Sequence, residues 1–413
     1  MESKVKKRDY FWNSLGVFSQ TITSPILLIV VSRTHGEAGV AIFTLLFSYS
    51  IMLWAFNLWG GRTYQVSDLK GEFSLSGYLV VRLLLGIASL VLAIIISIIS
   101  GFDLYTLILL VMLTLFKTIE AVAETLFGVL QTNNQLFMAG KSLFLKSILG
   151  VGLFVLVDIL TNSLLLATIA IMMINLFLLI CYDYFSVRKW VNYHLKRIYT
   201  YVPEAYAIMK KTGLVCIVSA ITAVTINIPR VFLFIFHDDE LARFGIIAQG
   251  VTVASLVIAF IIQPRILGLS KELITNRYEH FSKSVNWLIF ITAIMGVLIT
   301  IGTAFIGAPV LYLIFRIDLS GHWIALITMI IGGIMNAFVL LLFNVLTIMR
   351  EMMKLFITLI VTNVILILMC IWMVSYWALL GASLAYLICM CVQAIIVFVI
   401  YRNSIKRLSG SMM

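Results

Sequence analysis

Three ionisable residues lie close together inside a long apolar segment of this 413-residue chain. Lys117, Glu120 and Glu124 follow one another at spacings of three and four positions, which places them on one face of an α-helix. An ionisable side chain in the middle of a bilayer costs about 2.5–3.5 kcal/mol, so it faces a partner or a water-filled cavity. Two interpretations follow from this. In the first, Lys117 and Glu120 form a self-neutralising ion pair that holds helices together. In the second, Lys117 lines a cavity in which Glu124 and Glu120 titrate with a coupling ion.

Arg230 stands in another apolar segment, directly after Pro229. Proline removes a backbone donor, so we predict a kink at this point. A guanidinium can bind a phosphate group through two parallel charge-assisted hydrogen bonds. We therefore predict that Arg230 contacts an anionic substrate, the alternative being an arginine that extends to the membrane surface.

Further basic and amide side chains lie in or beside apolar segments and are candidates to line a cavity. Arginines near a cytoplasmic face are equally expected from membrane topology, and buried amides more commonly join helices than bind sugars. As a set they describe a wetter interior than a passive membrane anchor requires. These candidates are Arg62, Arg265, Arg82, Asn227, Asn57 and Gln20.

Apolar stretches of about 20 residues, the length that crosses a hydrocarbon core as an α-helix, fill nearly the whole chain. Hydrophobic residues make up 62% of the sequence and charged residues only 11%. We predict an all-α polytopic membrane protein with twelve spans. The fifth of them is short, and residues 308–317 are too brief to span and are predicted to be re-entrant or interfacial. The spans are 10–32, 38–59, 78–99, 104–130, 142–158, 163–185, 212–236, 244–267, 285–306, 323–345, 355–374 and 378–401.

Loops rich in lysine and arginine alternate along the chain with loops that carry few of them. This pattern predicts the orientation, because basic residues are retained on the cytoplasmic side. One set of loops is rich in both, including Lys141 and Lys146, whereas the opposite set carries only Arg33, Arg243 and Arg316. Both termini are then predicted to be cytoplasmic. The net charge of +11 therefore reflects topology and contact with anionic lipid headgroups, and we predict no nucleic-acid partner.

Signals for catalysis or for a bound cofactor are missing from the sequence. The loops are short, the histidines do not cluster with acids and nucleophiles, and the cysteines have no metal-ligand spacing. We therefore predict no enzyme activity, no cofactor and no metal site. An integral-membrane glycan polymerase or acyltransferase stays an alternative, although such an enzyme is expected to have a larger external loop.

The two halves of the chain share a pattern. The separation from Glu37 to Arg62 equals that from Glu240 to Arg265, and each arginine ends an apolar stretch. Two six-helix repeats in the same orientation are a recurring transporter plan, with substrate between the halves. We predict an N-terminal lobe at 1–185, a cytoplasmic linker at 186–211 and a C-terminal lobe at 212–413, around a central cavity.

At these residues the chain resembles the Wzx-type polysaccharide flippases, which handle O-antigen and capsule repeat units, of the multidrug/oligosaccharidyl-lipid/polysaccharide (MOP) exporter superfamily. The stretches that carry the resemblance are SRTHGEAGVAIFTLLFSYS, GGRTYQVSD, ETLFGVLQTNNQLFMAGKSLFLKS and INIPRVFLFIFHDDELARFGIIAQ. The resemblance implies a two-lobed helical fold with a cavity that opens alternately to each side. It also implies undecaprenyl-pyrophosphate-linked oligosaccharide as the substrate.

The predicted function is a flippase of the bacterial cytoplasmic membrane that moves such oligosaccharide repeat units from the cytoplasmic to the outer leaflet for surface polysaccharide assembly. Its partners would be the lipid-linked substrate, membrane lipids, a coupling cation (H⁺ or Na⁺) and other polysaccharide assembly proteins such as a polymerase. An ion-coupled drug or metabolite antiporter of the same superfamily is the first alternative. A cationic drug would favour a cavity lined by acidic residues. The ionisable residues named above do not carry an excess of negative charge.

The topology predicts which residues a membrane-impermeant thiol reagent reaches in intact cells. Single cysteines placed near Asp103 and Asp239 should be labelled from outside, and a cysteine at Lys196 should be labelled only after the membrane is opened. Labelling at Lys196 in intact cells would reverse the predicted orientation.

Overall fold

The computed structural model describes residues 2–59, 61–67, 72–190, 200–252, 265, 269, 272–273, 275 and 277–410. These residues are helical almost throughout, and no β-strand occurs among them. The predicted all-α class is confirmed. The chain divides into two compact units, Met1–Ala223 and Val224–Met413.

Unit 1 consists of long helices joined by short turns. Side-chain caps begin three of them: the oxygens of Ser74, Asp103 and Ser163 accept hydrogen bonds from backbone N–H groups three residues on, which satisfies donors that the helix leaves free. Its helices are α1 (Glu2–Thr34), α2 (Gly36–Asn57), α3 (Gly61–Ser67), α4 (Leu75–Ile99), α5 (Leu104–Thr132), α6 (Leu136–Thr161), α7 (Leu164–Leu178) and α8 (Val202–Thr225). A π-helical turn, Leu179–Tyr184, extends α7 toward Trp190.

Unit 2 begins just before a break in the seventh predicted span. Helix α8 ends at Thr225 and a new helix starts at Ile228 with Pro229 in its first turn. This confirms the predicted effect of the proline. The helices of unit 2 are α9 (Ile228–Phe236), α10 (residues 241–252), α11 (Tyr278–Gly302), α12 (Ala308–Phe315), α13 (Trp323–Ile348), α14 (residues 352–377) and α15 (residues 379–410).

Helices α14 and α15 form a tight hairpin. Ala378 has φ 44° and ψ −123°, which interrupts the helix. A Cβ atom on Gly381 would lie 1.9 Å from the Met373 carbonyl oxygen, so only glycine fits where the chain turns. Farther from the turn, the Cys389 thiol lies 3.4 Å from the Thr362 carbonyl oxygen, which shows that the two helices run side by side.

The number of apolar helices agrees with a many-span membrane protein. Within the described ranges, nine helices are long and apolar enough to cross a membrane, or ten if the bent pair in α8 is counted as one span. One of them, Met352–Leu408, is the hairpin and contains two of the predicted spans. The predicted span 244–267 lies largely outside the described residues.

Two predicted boundaries were wrong. The fifth span is not short, because α6 runs from Leu136 to Thr161. Residues 308–317 are not a separate re-entrant segment, because a π-helical turn at Thr303–Gly307 joins α11 to α12 in one continuous helix, Tyr278–Phe315. In both cases charged or small residues interrupt the apolar run without ending the helix.

The helices of unit 1 approach closely where glycines face each other. A Cβ atom on Gly16 of α1 would lie 2.3 Å from the Gly140 carbonyl oxygen of α6, and one on Gly140 would clash with the backbone of Trp12. Small residues at such crossings are typical of membrane helix pairs. At the other end of the same helices, Asp158 is fully buried and receives contacts from Thr34 (2.6 Å) and His35 (2.7 Å).

The first turns of α8 pack against the other helices of unit 1. The Glu204 carboxylate accepts hydrogen bonds from the backbone and side chain of Ser74, and the Trp59 indole donates to the Met209 carbonyl oxygen at 3.0 Å. Unit 1 therefore includes most of α8 and ends at Ala223. The predicted linker at 186–211 falls partly outside the described residues, and the assignment of lobes and linker stays a prediction.

The open end of the α14–α15 hairpin is held by Glu351, which yields a test. Its Oε1 lies 2.5 Å from Arg407 Nη2 and accepts a hydrogen bond from Ser404 Oγ at 3.0 Å, while its Oε2 lies 3.1 Å from Lys354 Nζ. Burial opposes ionisation of Glu351, but these hydrogen bonds and charges outweigh it, so the pKa of Glu351 lies below its ordinary value.

A carboxyl group whose pKa is lowered on folding stabilises the folded state above the unfolded-state pKa of about 4.3, and this contribution is lost as the pH falls. We expect Glu351→Gln to lower the Tm of the detergent-purified protein at pH 7. The difference from wild type should shrink as the pH falls below about 4, through the lowered pKa of the folded state. Glu279→Gln is the control, because the Glu279 side chain is 82% exposed and pairs only with Lys283. An equal Tm for Glu351→Gln and wild type at pH 7 would contradict this role.

Candidate functional site

Unit 1 contains a small cavity of about 20 Å³ that both polar and apolar side chains line. That volume suits about one water molecule. Glu120 and Glu124 of α5, both predicted as ion-coupling residues, contribute to its wall, and Gln20 of α1 faces them. The rest of the lining is Thr23, Phe116, Ala123, Phe127, Leu143, Lys146, Ser147, Ile171 and Asn175.

Lys117 and Glu120 form an ion pair, as the first interpretation of their spacing requires. Lys117 Nζ lies 2.8 Å from Glu120 Oε2, and the two side chains are 14% and 13% exposed. The ammonium also lies 5.1, 5.8 and 4.8 Å from the ring centroids of Phe47, Trp54 and Phe116. Cation–π attraction of this kind stabilises an ammonium away from water. Lys117 is therefore well matched inside unit 1 and does not line the cavity.

Arg62 and Glu124 are also brought together. Arg62 Nη1 lies 3.6 Å from Glu124 Oε2, and Arg62 Nε donates to Gln131 Oε1 at 2.8 Å. Both charged side chains keep a little exposure, 19% and 18%. This pair joins α3 to α5 beside the cavity, so Arg62 has a local structural partner in addition to the role predicted for it.

Arg82 makes structural contacts that the sequence did not predict, and its role in lining a cavity stays a prediction. It is 1% exposed. Its Nη1 donates to the carbonyl oxygens of Asn57 (2.5 Å) and Trp59 (3.2 Å), and its Nε donates to Thr125 Oγ1 at 2.9 Å. The first two are carbonyls at the end of α2 that lack a partner within the helix. Arg82 thus caps α2 and ties it to α4 and α5.

Asn57 is fully buried at the same place. Its side-chain amide oxygen and nitrogen make no hydrogen bond within the described residues, although Gly86 brings α4 against the amide nitrogen. Its position under the Arg82 cap removes it from any open surface of unit 1. The role of Asn57 as a cavity residue stays a prediction.

Sequence reasoning missed the most deeply buried ion pair. Lys146 Nζ of α6 lies 2.5 Å from Asp183 Oδ2 in the π-helical turn after α7, with side-chain exposures of 6% and 0%. Lys146 had been assigned to a cytoplasmic loop. Asp183 inside the predicted span 163–185 was the available signal, because an acid within an apolar span requires a partner.

Unit 2 contributes Arg230 from the first turn of α9. The side chain is 8% exposed, its Nη1 donates to Asn227 Oδ1 at 3.2 Å, and its guanidinium carbon lies 5.8 Å from the Phe244 ring centroid. Asn227 immediately precedes the helix, in the break left by Pro229. Discontinuous helices of this kind occur near the substrate sites of many membrane transporters.

A second amide contacts the residue that precedes this break. Thr225 Oγ1 donates to Asn363 Oδ1 of α14 at 3.0 Å, and both residues are buried. Arg265, the other candidate of unit 2, lies apart from them. Its guanidinium stacks over Trp287 at 4.7 Å, beside a pocket of about 400 Å³ that Glu272 and Lys283 also line. The structure thus joins Arg230 with Asn227 and leaves Arg265 with a different set of neighbours.

Comparison by sequence gives a distant relative. No protein-family model matches the chain. The capsular polysaccharide biosynthesis protein CapF of Staphylococcus aureus is 25% identical over 309 residues, which cover 74% of this chain and 76% of that protein.

Comparison by structure gives several neighbours over nearly the full length. The lipid II flippase MurJ in an inward closed conformation has a TM-score of 0.71 at 13% identity, covering 98% of this chain and 89% of its own. An inward-facing multidrug resistance MATE family transporter of the MOP superfamily has a TM-score of 0.68 at 14% identity, covering 95% and 96%. A MOP superfamily transporter from Pyrococcus furiosus has a TM-score of 0.59 at 15% identity, covering 98% and 96%. The chain therefore has the helical fold of these membrane proteins.

The capping role of Arg82 predicts a loss of stability. Arg82→Ala leaves two buried carbonyl groups and the Thr125 hydroxyl without their donor, which should lower the free energy of unfolding by about 2 kcal/mol or more. Arg82→Lys should recover only part of this, because one ammonium cannot reproduce the three bonds of the planar group. Thermal unfolding of the purified variants measures both. Arg188→Ala, which removes an exposed arginine of the same unit, should leave the Tm nearly unchanged.

Proposed function

We propose that this protein is a flippase for undecaprenyl-pyrophosphate-linked oligosaccharide repeat units, which it moves from the cytoplasmic to the outer leaflet by alternating access. The observation that carries the proposal is the buried Arg230 at a broken apolar helix, in contact with a neutral amide and an aromatic ring. A cation in that setting favours an anionic ligand, and a pyrophosphate offers oxygens for the two-pronged hydrogen bonding of a guanidinium.

The comparisons support the same class of substrate. MurJ is a lipid II flippase with the same helical fold, and CapF acts in capsular polysaccharide biosynthesis. A polar headgroup cannot cross hydrocarbon unaided, since each unsatisfied polar group costs several kcal/mol. In the proposed mechanism the two lobes enclose a basic cavity that replaces the lost water contacts, while the polyprenyl tail stays in the lipid. The product would enter surface polysaccharide assembly, O-antigen or capsule, with a polymerase and other assembly proteins as partners.

Cation coupling would use Glu124 and Glu120. Both carboxylates reach the cavity of unit 1, and each has a basic neighbour, Arg62 and Lys117 respectively. Binding of a cation at this cavity would weaken those ion pairs, and its release would strengthen them. H⁺ and Na⁺ are the two coupling ions proposed.

A drug antiporter is the second candidate, favoured by the likeness to multidrug resistance transporters. A site for a cationic drug should present a carboxylate to an apolar cavity. The buried ionisable residue found at the break of unit 2 is instead an arginine, and the carboxylates of the unit 1 cavity have basic neighbours. An integral-membrane enzyme is the third reading. Among the described residues no three His, Cys, Asp or Glu side chains come together to hold a metal ion.

Transport can be tested with the purified protein in liposomes that contain a lipid-linked oligosaccharide in the inner leaflet. We expect the headgroup to become accessible to an external glycosidase while mass spectrometry shows an unchanged lipid before digestion. A changed glycan mass would indicate an enzyme. No gain over protein-free liposomes, under imposed ion gradients and voltage, would contradict the flippase.

Arg230 provides the matching variant test. Arg230→Ala should reduce flipping about tenfold or more, because it removes charge-assisted hydrogen bonds worth about 1.5–3 kcal/mol. Arg230→Lys should be intermediate, since lysine keeps the charge and loses the planar fork. Arg402→Ala removes an exposed arginine of the same unit and should retain activity. Full activity of Arg230→Ala at equal protein level would exclude a substrate contact.

A further inference from the structure

The cavity of unit 1 has a wall suited to a metal cation. Oxygen-bearing side chains reach it from several helices: Gln20 and Thr23 from α1, Glu120 and Glu124 from α5, and Ser147 from α6. Carboxylate, amide and hydroxyl oxygens are the ligands that hard cations prefer. Oxygen chemistry alone would therefore predict a monovalent metal ion here.

Lys146 is part of the same wall and changes that prediction. Its ammonium is held 2.5 Å from Asp183 Oδ2 and lies 5.4 Å from the Phe127 ring centroid, which also lines the cavity. Asp183 is fully buried and its other carboxylate oxygen receives no hydrogen bond within the described residues. Since a buried carboxylate needs a neutralising partner, Asp183 fixes the ammonium in place.

The charges around this cavity are balanced by the protein itself. Lys117 pairs with Glu120, Arg62 with Glu124, and Lys146 with Asp183. A metal ion that enters the cavity therefore finds each carboxylate already neutralised by a fixed basic side chain, and it must displace one of them to gain a counter-charge. The titratable and charged groups that surround the cavity are Arg62 from α3, Arg82 from α4, Lys117, Glu120 and Glu124 from α5, Lys146 from α6, and Asp183 from the turn after α7.

We propose that Lys146 determines the ion selectivity of unit 1. Its ammonium takes the place of a monovalent metal cation, so the wild-type cavity does not bind Na⁺ or Li⁺, and the proton is left as the coupling ion. This rests on the cation coupling in the proposed function and narrows it to one ion. Removal of the ammonium leaves Asp183 as an excess buried carboxylate beside oxygen ligands, which creates a metal site.

The test measures binding without transport. The full chain is purified in detergent, and its Tm is followed as NaCl or LiCl replaces choline chloride at constant ionic strength. Wild type should show the same Tm in all three salts. Lys146→Met should have a lower Tm in choline chloride and a saturable rise of a few degrees with Na⁺, and this rise should disappear when Asp183→Asn is added.

Lys141→Met is the matched control, because Lys141 is on the same helix but contacts Trp12 and Phe137 and does not line the cavity. It should show no Na⁺ response. If Lys146→Met does not survive extraction, Lys146→Gln, which keeps a hydrogen-bond donor for Asp183, is measured in the same way.

Two results would overturn the proposal. One is a saturable Na⁺ stabilisation of wild type, and the other is a folded Lys146 variant that is stabilised by acid but not by Na⁺ or Li⁺. Because these readouts need no substrate, they stand whether or not the liposome assay supports a flippase. A failed liposome assay with the expected Na⁺ response would reject the substrate and retain the selectivity role.

Discussion

A charge placed among apolar helices must be matched by the protein itself, because hydrocarbon offers no water to solvate it. Unit 1 is organised around this constraint. Arg82 satisfies the carbonyl end of α2, and Lys146 joins α6 to the turn that follows α7 through Asp183. Each contact links helices that are distant in sequence. The positions of the apolar helices in unit 1 therefore depend on a few polar contacts as much as on the fit of their side chains.

In unit 2 the described ion pairs lie toward the ends of the helices. Glu351 binds the two helices of the hairpin at one end, and Glu240 lies 3.3 Å from both Arg243 and His322 at the other. Deeper in the unit, Arg230 contacts an amide and an aromatic ring at an interrupted helix. Unit 1 thus carries internal ion pairs beside a water-sized cavity, whereas unit 2 presents a guanidinium where the backbone is already irregular.

Hydropathy and spacing predicted the parts of this structure that are local in sequence. The apolar runs located most of the helices, the three-residue spacing of Lys117 and Glu120 predicted their pairing, and Pro229 predicted a break. Contacts between distant residues were not predictable in the same way. Arg82 and Lys146 lie near the predicted cytoplasmic side, where membrane topology already explains a positive charge. Their partners lie on other segments, far from them in sequence. The contacts of Arg82 and Asn57 were not foreseen for this reason, and the cavity roles given to them, like those of Arg230, Asn227 and Gln20, stay predictions.

The π-helical turn at Leu179–Tyr184 carries one residue more than an α-helical turn would need. Its effect is one of phase. The wider turn absorbs the extra residue, so the helix beyond it keeps the angular position that a regular α-helix one residue shorter would give it. Only residues inside the turn, Asp183 among them, depart from that regular phase. In this fold one inserted residue in a lipid-embedded helix, usually considered a matter of length, changes the direction of a single carboxylate and leaves both ends of the helix in place.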